Sequence, residues 1–482
     1  MSDEQVIVVG AGPVGLWLAG ELQLAGVPTL VLERAARRSP HAKALGMHPR
    51  TIEVLAMRGM EMAFLAGGVA VPSWHFGMLA NRLDFRPLDT PFPFMLAHPQ
   101  TRTEELFSER AVEFGARVLR GHAVTGLTQD HDSVTIEVTG PSGTYTQTAE
   151  FVVGCDGAGS TVRRAAGIDF PGTDSTVFGH LGDVVLDDPP KEPGRSWFTA
   201  DGALAVAPIP GGLFRVMGYD PANQTPGVAL TLESLKDWAI RVAGTDFGMR
   251  DPVWLTRFGN ATRHAATYRD GRVLLAGDAA HMHFPAGGVG LNAGVQDAMN
   301  LGWKLAAVLQ RRAAPELLDS YHTERHPVGA ALGRHTLAQT ALITATSPHG
   351  QALRTLMSDL IGSQPGLSLE LAAMVSALDI TYPPADPRAH PLAGTRAPGL
   401  FGLLQGGRPF LLNLSGSPLP AATTLAASLG IDTHSGEVAD LAWAGATAVI
   451  VRPDGYVWWA TSDRANLDVT TQHALHGLGA RF

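Results

Sequence analysis

The stretch that most restricts what this chain can fold into lies at its start: QVIVVGAGPVGLWLAGELQLAGVPTLVLER. Gln5 to Val9 carries a continuous apolar run, the pattern of a strand buried on both faces. It leads into Gly10-Ala11-Gly12-Pro13-Val14-Gly15, then into a segment of helical spacing from Leu16 to Leu22. A second buried strand, Thr29 to Leu32, ends on Glu33. Strand, G-x-G-x-x-G, helix, strand and acid in that order, within about 30 residues, mark a dinucleotide-binding βαβ unit. Gly10 makes the tight turn, Gly12 lets backbone approach a pyrophosphate, and Gly15 lets the helix sit close to the strand. The helix N-terminus turns its unpaired N–H groups toward the phosphates. Glu33 is placed to accept hydrogen bonds from an adenosine ribose, which favours FAD or NAD over NADP.

Two further junctions repeat the theme. Phe151-Val152-Val153-Gly154 runs into Cys155-Asp156-Gly157-Ala158-Gly159-Ser160 and a helix start at Thr161. Val273-Leu274-Leu275 ends on Gly277-Asp278, followed by AAHMHFPAGGVGLNAG. Three buried strands that end in glycine and acid suggest one composite nucleotide site.

Composition narrows the function classes. At 482 residues the chain holds two or three domains. With 45% hydrophobic and 17% charged residues it is globular. A net charge of −9, with no basic block, argues against a nucleic-acid binder. No apolar segment reaches membrane-spanning length, and the start MSDEQ lacks the basic region of a signal peptide, so a cytoplasmic location is expected. Cys155 is the single cysteine, which rules out an intrachain disulfide and a CxxC pair. It follows a buried strand and reads as a structural thiol. His281, His283 and Asp278 invite a metal reading, but no third ligand pattern accompanies the histidines, and no metal is expected. Ser160 lacks a G-x-S-x-G elbow.

The sequence resembles the flavoprotein aromatic hydroxylases, the group A monooxygenases of the para-hydroxybenzoate hydroxylase fold. Their three marks, an N-terminal GxGxxG, a central Asp-Gly and a later Gly-Asp, occur here in order. The likeness extends to the subfamily acting on aromatic polyketides of the angucycline type. The stretches RGHAVTGL, VGCDGAGSTVRRAAGIDFPGT, FGNATR, GRVLLAGDAAHMHFPAGGVGLNAGVQDAMNLGWKL, LDSYHTERHPVG, HPLAGTRAP and VIVRPDGYVWWA carry it. The resemblance implies an α/β chain: a FAD-binding Rossmann-like domain, an inserted β-sheet substrate domain and a C-terminal thioredoxin-like domain. It also implies a monooxygenase using FAD, NADPH (or NADH) as a transient co-substrate, and O2. A flavin C4a-hydroperoxide would hydroxylate a bulky polycyclic aromatic polyketide in antibiotic biosynthesis. A Baeyer–Villiger oxygenase, an enzyme inactivating rifamycin- or tetracycline-type antibiotics, and a non-catalytic flavin carrier are the alternatives. A monomer or homodimer is expected.

Residue by residue, the resemblance assigns the cofactor to Gly10, Gly12, Val14, Gly15 and Glu33, with Arg34 near the adenosine. Gln100 contacts FAD, backbone at Val124 meets the adenine, and Asp156 serves both FAD and the nicotinamide. Asp278 binds the ribityl chain. Pro285 through Gly290, including Gly288, wrap the flavin ring, and Leu291 and Asn292 open the next helix beside it. Two positions depart from the family. Lys43 replaces an arginine, keeping charge but losing the planar fork, and Val289 stands where glutamine is common. Sequence alone nominates no general base for the phenol: either the bulky polycycle ionises unaided or a pocket histidine assists. Pro285 and Gly288 of the flavin loop are the catalytic candidates, with His264 or His75 as a base for the phenol.

The expected organisation is discontinuous: residues 1–75, 98–180 and 265–345 bind FAD, while 76–97 and 181–264 form the substrate domain. Residues 346–390 are a helical linker region, helical around Leu353 to Leu378 and then passing through PPADPRAHP. Residues 391–482 form the thioredoxin-like domain. Ala203 to Pro208, a Gly211-Gly212 turn and Phe214 to Val216 read as a hairpin of the substrate sheet. Trp74, Phe76, Trp197 and Phe198 are pocket candidates, and Tyr268 is either a substrate contact or packing. Val295, Ala298, Met299, Leu301 and Leu305 give the helix after the flavin loop an apolar core-facing side.

Overall fold

A computed structural model describes residues 4–384, 386, 388–397, 399–436, 443 and 445–479. The N-terminal apolar run becomes the strand Val6–Val9, buried throughout. It lies between Thr29–Glu33 and Phe151–Gly154 and is parallel to both, with Val6 opposite Thr29 and Phe151. Arg117–Arg120 and Val273–Leu275 extend the sheet in parallel at either side. Arg269–Asp270 closes one edge in the antiparallel sense. The strands bearing the three glycine-and-acid turns are parallel and therefore release them together at the carboxyl ends of one sheet, where ligands of parallel sheets bind.

Helix Pro13–Leu24 packs against helix Gly290–Leu309. A Cβ on Gly294 would stand 2.5 Å from Val14 Cγ2, and one on Gly302 would stand 2.8 Å from Glu21 Cβ. The absence of those side chains lets the helices touch. The apolar side of Gly290–Leu309 is buried as expected, but burial runs all round the helix and takes in Asp297, Asn300 and Lys304. Buried charge persists only when paired, and all three have partners from helix Asp319–Ile343.

The inserted segment forms a five-stranded antiparallel sheet in the order Arg195–Thr199, Gly202–Ile209, Leu213–Tyr219, Phe178–Leu186, Met249–Gly259. Gly211 and Gly212, at φ +84° and +73°, turn the central hairpin, a backbone region open to glycine. Helix Leu232–Ala243 covers one face through Leu235 and Trp238. Side chains alternate along a strand. Trp197 therefore faces that helix, its ring 5.3 Å from Phe247, and not the pocket. Phe198 points the other way, beside Tyr219 and Phe258. Phe76 is core, packed with Leu79 and Leu83.

The helix expected around Leu353 to Leu378 is two helices, Pro348–Ser363 and Pro365–Ser376. Pro365 has no N–H to continue the first and instead opens the second. Ala385 and Pro387 of the PPADPRAHP stretch lie outside the described residues. In the C-terminal part, Phe410–Asn413, helix Pro420–Ser428 and Asp432–Ser435 make a parallel β-α-β unit. Ala448–Val451 and Val457–Thr461 add antiparallel strands, and helix Leu467–Gly479 follows. This is a thioredoxin-like α/β arrangement without a cysteine. Among the described residues no helix is long and apolar enough to cross a membrane.

Candidate functional site

The glycine motif behaves as its spacing requires. Gly10 runs at φ +107°, and a Cβ there would stand 2.4 Å from the Cys155 carbonyl oxygen. A Cβ on Gly15 would stand 2.0 Å from the Gly10 carbonyl oxygen and 3.2 Å from Val8 Cγ1. Gly12 differs: its φ is an ordinary −78°, and a Cβ would meet nothing within 4 Å. Helix Pro13–Leu24 begins at Gly12 with no side-chain cap and no acidic residue in its first turn. Open space before an uncapped helix N-terminus suits an anion. The Val14 side chain is wedged against Gly277 and Gly294.

Glu33 is fixed at the end of its strand. The Ala11 N–H donates to Oε2 at 2.9 Å and the Ala35 N–H to Oε1 at 2.8 Å. Arg34 is exposed beyond it. Val124 pairs with Val138 on a neighbouring antiparallel sheet. Gln100 binds the Ala44 N–H through Oε1 at 3.1 Å and donates to Glu104 at 2.8 Å. It thereby braces the loop carrying Lys43, which is exposed. Arg215, paired with buried Asp183, holds the same loop by donating to the Ala42 carbonyl at 2.6 Å.

Asp156 turns back on its own chain. Its carboxylate accepts from Ser160 Oγ at 2.5 Å and from the Thr161 and Val162 N–H groups at 2.7 and 3.2 Å. Arg163 then donates to the carbonyls of Ala158 and Ala279, tying the Asp-Gly turn to the Gly-Asp turn. Cys155 is driven well above its ordinary thiol pKa by burial and by neighbouring Asp156 and Asp297, which suits a structural thiol.

Asp278 is exposed and accepts no hydrogen bond from the described residues. The turn behind it is held by Asp297, a residue that sequence reasoning missed. Asp297 Oδ2 accepts from the Gly277 N–H at 3.1 Å and from His281 Nε2 at 2.7 Å, and Oδ1 accepts from Arg325 Nε at 2.7 Å. Burial would raise this carboxyl, but Arg325 and His281 hold it below the ordinary value. The available signal was a lone acid inside an apolar helix, which calls for a partner. His283 instead donates to the Phe284 carbonyl at 2.8 Å, so the two histidines go to different partners.

Beyond Pro285, itself exposed, Gly287 and Gly288 run at φ +79° and +69°. His48 Nε2 and Trp74 Nε1 both donate to the Gly287 carbonyl at 2.8 Å. Asn292 spends its side chain on position: Oδ1 accepts from the His48 N–H, while Nδ2 donates to the Gly288 and Gly46 carbonyls. Burial holds His48 down at about 4, against the opposing pull of the Gly287 carbonyl. Gly290 and Leu291 are half-buried at the helix start, and Val289 packs into the core with Ala293. Facing the loop is an aromatic wall of Phe198, Tyr219, Phe258 and Phe284, with Ala286 from the loop and Ile343 from helix Asp319–Ile343. Phe258 and Phe284 lie 5.2 Å apart. His264 is elsewhere: it meets Tyr268 OH at 2.8 Å and stacks on His326, and Tyr268 is fully buried packing.

A glycine cradle, an uncapped helix, a free carboxylate and a pinned loop before an aromatic wall fit a flavin dinucleotide and a flat aromatic partner. Comparison with known proteins agrees. Residues 3–336 match the model of the FAD binding domain family, and 388–480 match the aromatic-ring hydroxylase C-terminal family. The chain is 44% identical to the 12-dehydrotetracycline 5-monooxygenase/anhydrotetracycline 6-monooxygenase of Streptomyces rimosus, covering 97% of both chains. It is 40% identical to the rifampicin monooxygenase of Streptomyces venezuelae, covering 96% of both. The solved anhydrotetracycline hydroxylase of Streptomyces rimosus superposes with a TM-score of 0.88 at 43% identity, over 97% of this chain and 98% of that one. The chain therefore belongs to the family of FAD-dependent aromatic-ring monooxygenases, the group A flavoprotein hydroxylases.

Proposed function

We propose that this enzyme hydroxylates a bulky polycyclic aromatic polyketide, using FAD, dioxygen and NADPH or NADH. The observation that carries the reading is the aromatic wall of Phe198, Tyr219, Phe258 and Phe284 set directly before the glycine loop. Gly10, Gly12, Val14 and Gly15 would receive the pyrophosphate, Glu33 and Arg34 the adenosine ribose, and Val124 the adenine through backbone. Gln100 and Lys43 would border the flavin on the loop that Gln100 braces, and Asp278 would accept hydrogen bonds from ribityl hydroxyls. Asp156 would act by shaping the Asp-Gly turn. Pro285, Gly288, Gly290, Leu291 and Asn292 would surround the ring. We assign residues 1–75, 98–180 and 265–345 to flavin binding and 76–97 and 181–264 to the substrate, with 346–390 connecting to 391–482.

Bound there, the flavin supplies the redox chemistry, taking reducing equivalents from the nicotinamide and activating dioxygen. The chain supplies placement. His48, Trp74 and Asn292 fix the loop carbonyls, so its N–H groups can face the cofactor without rearrangement. The wall stacks the substrate and excludes water. Of the two histidines considered as phenol bases, His75 stands beside Trp74, and burial holds it down at about 4. His264, which meets Tyr268 and His326, is held down at about 4 in the same way. Both rings are therefore neutral at pH 7 and weaker bases than an ordinary imidazole, and position beside Trp74 is what sets His75 apart. An unchanged pH–rate profile in His75→Gln would remove His75 from this role.

Relatives that modify rifampicin favour a second reading in which the substrate is a finished antibiotic. Anaerobic reduction of the flavoprotein by NADPH or NADH, with and without phenolic polyketides and ansamycins, separates the readings. Acceleration by one class names the substrate. Bound FAD with no reduction under any compound would leave a flavin carrier.

A further inference from the structure

The turn joining Ala448–Val451 to Val457–Thr461 is Arg452-Pro453-Asp454-Gly455, a composition usual for an exposed hairpin tip. Here it is buried: Arg452 is 4% exposed, Asp454 2% and Tyr456 3%. The N-terminal part of the chain receives it with its own cations. Arg58 donates to the Pro453 carbonyl at 3.1 Å and Arg50 to the Asp454 carbonyl at 2.9 Å. Arg452 reaches helix Asp319–Ile343 and binds Glu324 through two hydrogen bonds of 2.8 Å. Lys304 meets the same carboxylate at 2.8 Å, and Asn300 Nδ2 donates to it at 2.7 Å.

The next residue on that helix is Arg325. It donates to Asp297 at 2.7 Å, to the Ala293 carbonyl at 3.2 Å and to Tyr382 OH at 3.2 Å. The Tyr382 ring packs on Tyr456, at the end of the buried turn, with centroids 4.2 Å apart. Asp297 in turn accepts the Gly277 N–H that precedes Asp278. The C-terminal turn thus grips both sides of Arg325, Glu324 on one and Tyr382 on the other. Among the described residues Arg325 has one carboxylate partner, and that carboxylate holds the Gly277 amide.

We propose that the buried Arg452–Gly455 turn is a positioning element of the flavin site, fixing the Gly277 amide just before Asp278 through Glu324, Tyr382, Arg325 and Asp297. The inference rests on the flavin-site reading above, and it gives the cysteine-free C-terminal unit a function: its docking and cofactor binding are coupled, each strengthening the other. A buried, bidentate ion pair has discrete made and broken arrangements, which is what such coupling needs.

The test uses the full-length protein freed of cofactor. Arg452→Met removes the paired cation while keeping bulk, Arg452→Lys restores charge without the fork, and Leu475→Ala damages the same unit's core away from the turn. Hydrogen exchange of the Gly277 amide is read first, and FAD affinity by fluorescence titration second. Arg452→Met is expected to speed exchange at Gly277 and weaken FAD binding at least tenfold, with Arg452→Lys between it and wild type. Leu475→Ala should lower the melting temperature with both readouts unchanged. Wild-type exchange and affinity in folded Arg452→Met, or equal losses in Leu475→Ala, overturn the proposal. Should Arg452→Met not fold, Tyr382→Phe deletes only one acceptor of Arg325 and is read the same way. Exchange at Gly277 needs no FAD. A wild-type protein that fails to bind FAD therefore refutes the flavin reading separately.

Discussion

Replacing Gly12 by alanine separates the cofactor role of the glycine motif from its role in folding. A Cβ at Gly12 meets no atom within 4 Å, and the residue's φ of −78° suits alanine. Alanine caps a helix less well than glycine, at a cost of about 0.5–1 kcal/mol. It also restricts the unfolded chain, which returns about 0.4–1 kcal/mol. The cofactor-free variant should therefore match wild-type stability within about 0.5 kcal/mol. The methyl group nevertheless enters the space before the uncapped helix, where phosphate oxygens must approach the N–H groups. Loss of two charge-assisted hydrogen bonds at about 1.5–3 kcal/mol each removes about 3–6 kcal/mol. At about 1.4 kcal/mol per tenfold, FAD affinity should fall by about 10²–10⁴. Melting of the cofactor-free protein and fluorescence titration with FAD read the two effects separately. Wild-type FAD affinity in Gly12→Ala would refute the assignment of that space to the pyrophosphate, and a collapse of the cofactor-free protein would refute the packing argument.

Other outcomes follow from the same geometry. Gly15→Ala must push helix Pro13–Leu24 off the sheet, because its Cβ would stand 2.0 Å from the Gly10 carbonyl oxygen. It should lose about 1–3 kcal/mol even without cofactor, read by denaturant titration. Asp297→Asn leaves Arg325 buried without an anion and should cost about 3–5 kcal/mol, with a parallel loss of FAD affinity. His48 is lowered from 6.5 to about 4, so the unfolded chain binds its proton first as pH falls. Its neutral form stabilises the fold above pH 6.5, and about 3 kcal/mol is lost between pH 6.5 and about 4. Denaturation at several pH values should show a shallower acid loss in His48→Gln, and an identical slope would contradict the burial argument. Phe258→Ala should raise KM for a polycyclic substrate by about tenfold or more through lost burial, with FAD affinity unchanged.

Much of this was legible in one dimension because it is local. The apolar run into Gly10, Gly12 and Gly15 states strand, turn and helix within a few residues, and Gly10 and Gly15 make the close approaches their spacing demands. The ends of the Phe151–Gly154 and Val273–Leu275 strands were equally plain. What escaped depends on partners far along the chain. Asp297 becomes a brace for Gly277 only because Arg325 arrives 28 residues later from another helix. The direction of Trp197 away from the pocket, and of Phe198 toward it, follows from strand register, which composition does not contain. The Arg452–Gly455 turn misleads most. Its Pro-Asp-Gly composition signals a surface turn, and its burial depends on partners distant in sequence, among them Arg50, Arg58, Asn300 and Glu324. Lys43 keeps its exposed place because its loop is held by backbone contacts from Gln100 and Arg215, which lysine and arginine permit equally.

The measurement closest to the central claim is product analysis under isotopically labelled dioxygen, with the FAD-loaded enzyme, NADPH or NADH, and a phenolic polyketide that accelerates flavin reduction. The account predicts one labelled oxygen atom on an aromatic carbon of the product, with one nicotinamide oxidised per hydroxylation. Product oxygen derived from water, or nicotinamide oxidation that yields only hydrogen peroxide with every substrate tried, would contradict it.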